Sequence, residues 1–253
     1  MRISTLLVSS ALVLGLSAPG CQKSANGGHD YSPTTPAEPA ATEATPLIGG
    51  DQLTRVLEMH DSYLTLITAR DAAAHGETDV SRELLTEIAT QPMPEGVSSV
   101  WAPEVLALHV AAGRGARAER AEGVAQGIAS AAQSCGSCHA STGYSPMLAG
   151  QSEPPSPDSP STLMKRHAWA AQQLWDALII PSEDRWQQGA TVLEQSKLEP
   201  QSLFDSEYVA EVGAERVHGL QAATKLVVDA EDWNARAEAY GELLHSCATC
   251  HGN

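Results

Sequence analysis

The chain has 253 residues, long enough for two small domains, and its 42% hydrophobic and 18% charged residues are typical of a globular protein. Its formal net charge of −16 argues against binding to nucleic acid or to anionic lipid surfaces. The same charge favours partner proteins with basic docking surfaces, although it also serves solubility alone. Aromatic residues make up only 4% of the chain, so large flat side chains are scarce.

Residues 1–20 are predicted to be an export signal, because Arg2 precedes an apolar run and the small residues Ala18 and Gly20 stand three and one positions before Cys21. Two cleavage routes stay open at this point. Ordinary signal peptidase would leave a free thiol, whereas lipoprotein processing would acylate Cys21 and anchor the chain to a membrane. The other four cysteines form two pairs, so we expect the lone Cys21 to be lipidated.

The rest of the chain predicts helices, with a proline-rich break between two sets of four. A disordered tether over 21–48, rich in Ala, Pro, Thr, Ser and Gly, comes first. The spacing of apolar residues then predicts helices at about 51–75, 79–90, 103–113, 116–138, 161–179, 182–195, 206–227 and 231–250. Residues 151–160 predict a stiff linker because they are rich in proline. No alternating run indicates a strand, so the predicted fold class is all-α.

Two of the predicted helices carry apolar stripes that bear on function. The stripe of the first helix follows helical spacing through Leu53, Val56, Leu57, His60, Leu64 and Ile67. An imidazole in the middle of such a stripe needs a partner, which makes His60 a residue of interest. The seam of the fourth helix runs through Val124, Ile128, Ala131, Cys135 and Cys138. We therefore expect a group bound to these two cysteines to enter the helix bundle.

The motif Cys-x-x-Cys-His occurs twice, once at the end of each set of helices. It comprises Cys135, Cys138 and His139 in the first half, and Cys247, Cys250 and His251 in the second half. Cysteines three positions apart share one face of a helix, so both thiols can add to the vinyl groups of one porphyrin, and the adjacent histidine can bind its iron. A lone pair of this spacing also fits a disulfide, a redox pair or half a zinc site. A histidine after both pairs, on an exported chain, favours two c-type haems.

The two halves match each other, which indicates an old duplication. At a shift of 112 residues Cys135 falls on Cys247, and at a shift of 105 residues Met59 falls on Met164. The difference of seven residues corresponds to two helical turns added in the second half. We therefore predict two tandem domains, residues 49–150 and 161–253.

Four helices with the Cys-x-x-Cys-His motif at the end of the last one resemble the class II cytochromes c, which are four-helix bundles. The resemblance covers roughly 50–141 and 161–253, and the whole chain is similar to double-domain dihaem lipoprotein cytochromes of Gram-negative bacteria. It implies that each half is a four-helix bundle with one haem, and that the protein lies in the periplasm with a lipid anchor on the outer membrane. The lipidated N-terminus would then be its only contact with the membrane.

The resemblance also implies that the second axial ligand of each iron comes from the first helix of its own half. Candidates are Met59 and His60 in the first half, and Met164 and His167 in the second. The methionines correspond at the shift of 105 residues, whereas the histidines correspond at a shift of 107. Ordinary core packing explains either pair equally well in a protein without haem. The choice between methionine and histidine therefore stays open, and the two haems can differ.

Three functions follow from the nature of the distal site. An iron with two protein ligands favours one-electron transfer, so the first hypothesis is an electron carrier that is not an enzyme. An open iron favours a gas-binding or sensing protein. A dihaem peroxidase ranks last, because the two halves are alike and the sequence shows no group of acid–base residues for the distal side.

Overall fold

The computed structural model describes residues 51–94, 97, 99, 101–144, 146, 148, 152–200 and 207–252, with the side chains of 51–55 and 207–212 left out. The predicted export signal, the tether and Cys21 lie outside these residues. The described parts contain eight helices and no strand, which confirms the all-α prediction. The helices are α1 (Asp51–Ala74), α2 (Thr78–Thr90), α3 (Ala102–Ala116), α4 (Ala121–Thr142), α5 (Pro160–Ile179), α6 (Glu183–Gln195), α7 (Glu207–Asp229) and α8 (Trp233–His251).

The helix ends follow local sequence signals. The predicted cap at Ser182 is confirmed, because its side chain accepts a hydrogen bond from the backbone N–H of Arg185. Ser159 caps α5 through a reciprocal capping box with Thr162. Gly143 ends α4 in the left-handed region, at φ 67°. Gly143 thus ends the helix that carries the first Cys-x-x-Cys-His motif, and Ser182 begins α6 directly after the end of α5 that meets this motif.

The prediction that α3 ends near Gly113 was wrong, because the helix continues to Ala116. The reason is a close approach of two helices rather than a break in one of them. A Cβ atom on Gly115 would lie 3.1 Å from the Cα atom of Gly127 in α4. Glycine here lets the backbones of α3 and α4 touch, and this close contact positions the helix that carries the first motif.

Asp232 caps α8, the helix that carries the second motif. Its carboxylate accepts hydrogen bonds from the backbone N–H groups of Asn234 and Ala235, both at 2.9 Å. We expect Asp232→Ala to lower the free energy of unfolding by about 1 kcal/mol, the usual cost of a lost N-cap. Chemical denaturation measures the change, and the neighbouring exposed Glu231→Ala is the control, expected to stay within about 0.5 kcal/mol. Equal losses in both variants would contradict the capping role.

The described residues from 51 onward form one compact unit, in which the two sets of four helices share a core. α4 packs along α8, and buried residues from both halves belong to the same apolar cluster, among them Ile128, Leu174 and Leu243. The predicted linker lies against the start of the second half, since Arg166 and Trp169 donate hydrogen bonds to the carbonyls of Pro155 and Ser152. No helix in the described parts of the chain is long and apolar enough to cross a bilayer.

α4 and α8 run antiparallel, which places the two motifs at opposite ends of the bundle. The side chain of Gln126 lies against Gly241 and donates to the carbonyl of Glu238, whereas Gln133, seven residues later in α4, donates to the side chain of Asn234, seven residues before Gly241 in α8. Cys135 lies nine residues beyond Gln126 in one direction, and Cys247 six residues beyond Gly241 in the other. At 1.5 Å per residue, the two cysteines are therefore about 22 Å apart along the helix axes.

The apolar stripe predicted on α1 belongs only partly to the core: Ile67 packs against it, whereas the residues around His60 face outward. Leu57 and Leu64 are 53% and 47% exposed, and His60 between them is also exposed. The buried side of α1 is formed by Leu66 and by small alanines such as Ala69. Small residues let neighbouring helices approach closely, so this side is buried although the larger side chains lie opposite.

Candidate haem sites

The first Cys-x-x-Cys-His motif forms the last turns of α4, which continues to Thr142. Cys135 packs against the apolar core, and Cys138 and His139 are half-buried. The seam predicted from the sequence therefore continues into the motif as expected. Since α4 is helical throughout, the two cysteines lie on one face, one turn apart.

His139 is held by a backbone carbonyl from the other half of the chain. Its Nδ1 lies 2.7 Å from the oxygen of Ile179, in the last turn of α5. A carbonyl can only accept, so Nδ1 carries the proton and Nε2 keeps its lone pair. Burial lowers the pKa of His139, which favours the neutral ring. A neutral imidazole fixed through Nδ1–H is the arrangement that metal-binding histidines show.

Gly136, inside the first motif, makes this contact possible. A Cβ atom at this position would lie 2.0 Å from the carbonyl oxygen of Leu178 and 3.2 Å from the ring of Pro181. The last turns of α4 and α5 are therefore in direct backbone contact. Any larger residue would force them apart and would move His139 away from Ile179.

The second motif ends α8 and contacts the opposite half in a similar way. A Cβ atom on Gly76, which has φ +76° at the end of α1, would lie 2.4 Å from the Cα atom of Gly252. The ring of His251 lies 6.0 Å from the ring of His75, edge to face. Cys247 is half-buried, whereas Cys250 and His251 are exposed. We call these two arrangements the crossed contacts: α4 ends on α5, and α8 ends on α1.

The two sites differ in how their histidines are held. His139 is half-buried and has a carbonyl partner, and the ring of Tyr144 lies 5.6 Å from its own. His251 is exposed, and the described contact of its ring is with His75. The second site is therefore the more open of the two.

The thiols of the two leading cysteines are protonated at neutral pH. Burial raises the pKa of Cys135 to about 12 and that of Cys247 to about 11. Cys138 and Cys250 are also free thiols, with pKa values raised by burial. A redox-active Cys-x-x-Cys pair has a lowered thiol pKa, so these pairs lack the electrostatic signature of that alternative.

Tyr63, midway along α1, lies near the first site. Burial raises the pKa of the Tyr63 hydroxyl, and the neighbouring Asp176 and Cys135 raise it further, so Tyr63 adjoins the motif. Met59 is one turn before Tyr63 and shares its side of the helix, although it is 44% exposed. His60 points with Leu57 and Leu64 to the exposed side. Helical spacing thus puts Met59 on the Tyr63 side of α1 and His60 on the exposed side, and the identity of the distal ligand stays a prediction.

His167 has a local partner in the second half. It is half-buried, and its Nε2 donates to the carbonyl of Ser196, whose hydroxyl accepts a hydrogen bond from Arg166. Burial lowers the pKa of His167. Because Nε2 is already bonded, His167 fits a structural role in the described conformation. Met164, also half-buried in the first turns of α5, has no such bond among the described contacts.

Sequence reasoning missed the backbone contacts of the first motif and misplaced one histidine. Nothing in the side chains of α5 indicates that the carbonyl of Ile179 holds His139. The close backbone approach at Gly136 could have been predicted, because a glycine within the motif permits such a contact. His245 was predicted to face solvent, but it is half-buried. Its Nδ1 has no hydrogen-bond partner among the described residues. The reason is that α7 packs against this side of α8.

The first motif fits a covalently bound haem on its own geometry: two thiols one turn apart on a buried seam, followed by an oriented neutral imidazole. The second motif offers the same residues in a more open setting. In the described part of the chain, no group of three or more His, Cys, Asp or Glu side chains converges to hold a metal ion directly. Comparison with family models, with curated proteins and with solved structures finds no match for this chain.

Proposed function

We propose that this chain is a dihaem c-type cytochrome that carries electrons one at a time in the bacterial cell envelope. The observation that carries the proposal is the orientation of His139, whose Nδ1–H···O contact with Ile179 leaves Nε2 available at the end of a Cys-x-x-Cys-His motif. The second motif, Cys247 to His251, repeats the residues at the opposite end of the bundle. Helices α1–α4 and α5–α8 support a duplicated four-helix design, in which each set ends on one motif.

The chain's own residues would hold each haem in defined ways. Cys135 and Cys138 bind the first haem covalently and His139 binds its iron; Cys247, Cys250 and His251 take the same roles at the second site. Haem iron, when bound, supplies the one-electron couple. The Ile179 carbonyl keeps His139 oriented, and the apolar seam of α4 limits access of water to the site. Both the orientation of His139 and the limited access of water would tune the reduction potential of the first haem.

The location and partners of the protein belong to the same proposal. Processing at Cys21 would anchor the chain to the outer membrane, with the tether holding the folded part in the periplasm. The charge of −16 suits electron donors and acceptors with basic docking surfaces. No role in nucleic-acid binding is expected from this charge.

One observation favours a second candidate function. His251 is exposed, and among the described residues no carbonyl holds its ring as Ile179 holds His139, so the second haem would be less constrained. A less constrained iron with one protein ligand can bind a gas. A gas-binding or sensing role is therefore the alternative to electron transfer.

Absorption spectra of the protein produced in a host that attaches haem distinguish these functions. We expect two covalent haems per chain and ferrous spectra that carbon monoxide leaves largely unchanged, because distal ligands close the irons. Rapid binding of carbon monoxide to both haems would contradict the carrier and favour the gas-binding role. A colourless protein, or one that contains zinc, would contradict both.

A further inference from the structure

A buried aromatic pair lies between the two Cys-x-x-Cys-His motifs. Trp175 in α5 is fully buried, and Tyr240 in α8 is 2% exposed. Their ring centroids are 5.8 Å apart, with 43° between the ring planes. We propose that Trp175 and Tyr240 form the path along which electrons pass between the two haem sites. This inference rests on the dihaem function proposed above.

The path begins at the first site with the contact that orients His139. The imidazole donates to the carbonyl of Ile179, and Ile179 lies one helical turn after Trp175 in α5. In an α-helix the N–H of residue i bonds to the carbonyl of residue i−4, so Ile179 is linked directly to Trp175. One hydrogen bond and one turn of α5 thus connect the proposed iron ligand His139 to the residue that carries the indole ring, Trp175.

The path continues to the second site along α8. Tyr240 lies seven residues before Cys247, which is two helical turns, or about 10 Å along the axis. Both residues belong to the buried side of α8, and Cys247 raises the pKa of the Tyr240 hydroxyl in addition to the larger effect of burial. The rings therefore fall within the interval of about 22 Å that separates the two motifs along the bundle.

Arg70 determines whether the two rings can themselves be oxidised during electron transfer. Its guanidinium lies 4.9 Å from the centroid of the Trp175 ring and is held by Gln172 and Asp71. A fixed positive charge beside the indole opposes formation of a tryptophan cation, since like charges repel. The rings accordingly serve as a bridge and keep their oxidation state. One electron is lost by the ferrous iron of one site and gained by the ferric iron of the other, and no bond forms or breaks.

The experiment compares electron transfer within the chain in variants of the full-length dihaem protein. A redox titration of the full-length protein first gives the absorption spectrum of each haem, and a laser pulse with a photoreductant then injects one electron. We expect Trp175→Leu and Tyr240→Leu each to slow the exchange between the haems about tenfold, equivalent to about 1.4 kcal/mol of activation free energy. Tyr240→Phe keeps the ring and should keep the rate.

Trp186→Leu is the matched control, because Trp186 is also fully buried in the second half and donates to the carbonyl of Val227, but has no described ring contact with Trp175 or Tyr240. It should leave the rate unchanged. The reduction potentials of both haems are measured in every variant, so that a change in driving force is separated from a change in the bridge. If a leucine variant fails to fold, Trp175→Phe, with its smaller ring, is compared with Trp186→Phe.

Unchanged rates in Trp175→Leu and Tyr240→Leu, with two haems and unaltered potentials, would overturn the path and leave the carrier function intact. Equal slowing by the Trp186 control would also overturn it, because the effect would then come from packing alone. A chain without haem would instead remove the proposed function itself. The two failures are therefore distinguished by the absorption spectrum recorded before any rate is measured.

Discussion

Cys247→Ala should yield a protein that keeps one covalent haem and loses the other. Two thioether bonds normally fix each porphyrin, and the substitution removes the half-buried thiol of the second site. Mass spectrometry of the denatured chain, combined with the haem absorption of the same sample, gives the number of covalent haems. We expect about one full haem mass to be lost relative to the unsubstituted chain.

The control for this result is Cys135→Ala, which should affect the first site and spare the second. Cys21→Ala is a further control, since its thiol belongs to neither motif. Retention of two covalent haems in Cys247→Ala would contradict the assignment of the second motif. Loss of both haems would show that the sites form only together, and the comparison with Cys135→Ala would reveal whether this dependence is mutual.

Gly136→Ala should destabilise the protein strongly and disturb the first site. The new Cβ atom would lie 2.0 Å from the carbonyl oxygen of Leu178, and a backbone atom cannot move aside as a side chain can. Overpacking of this kind typically costs about 1–3 kcal/mol, and we expect the upper end of that range. Chemical unfolding of the haem-loaded protein measures the loss.

Gly219→Ala in α7 is the matched control for this substitution, because nothing lies within 4 Å of its added Cβ atom. Alanine is the better helix former, so the control should gain up to about 1 kcal/mol. A second measurement tests the link to His139: the reduction potential of the first haem reports changes in the histidine that binds its iron. If Gly136→Ala leaves both stability and this potential unchanged, the backbone contact with α5 does not hold the site.

Much of the fold was predictable because helical periodicity and capping are local signals. The eight helices and the cap at Ser182 follow from spacing and from short-range hydrogen bonds, and the structure has both. The error at Gly113 came from treating glycine as a helix breaker, whereas Gly115 and Gly127 serve a contact between distant parts of the chain. Such contacts depend on tertiary packing that no local pattern records.

The candidate site was predictable in its residues and not in its surroundings. The spacing of Cys135, Cys138 and His139 follows from bonding chemistry, so the sequence alone identifies the motif. The partner of His139 is a backbone carbonyl, which every residue possesses, and its position depends on how α4 meets α5. The apolar stripe of α1 also predicted the wrong buried side for Leu57 and Leu64, because alanines on the opposite side, such as Ala69, pack into the core instead.

The crossed contacts have a consequence for the origin of the chain. Each motif contacts the first helix of the opposite half, so a half-length ancestral polypeptide could not have formed this contact within one chain. If the gene arose by duplication, two identical subunits would have formed a dimer with two-fold symmetry, in which a helix end of each subunit contacts the motif of the other. Fusion would then have made a permanent homodimer into one polypeptide, and the two copies were afterwards free to diverge.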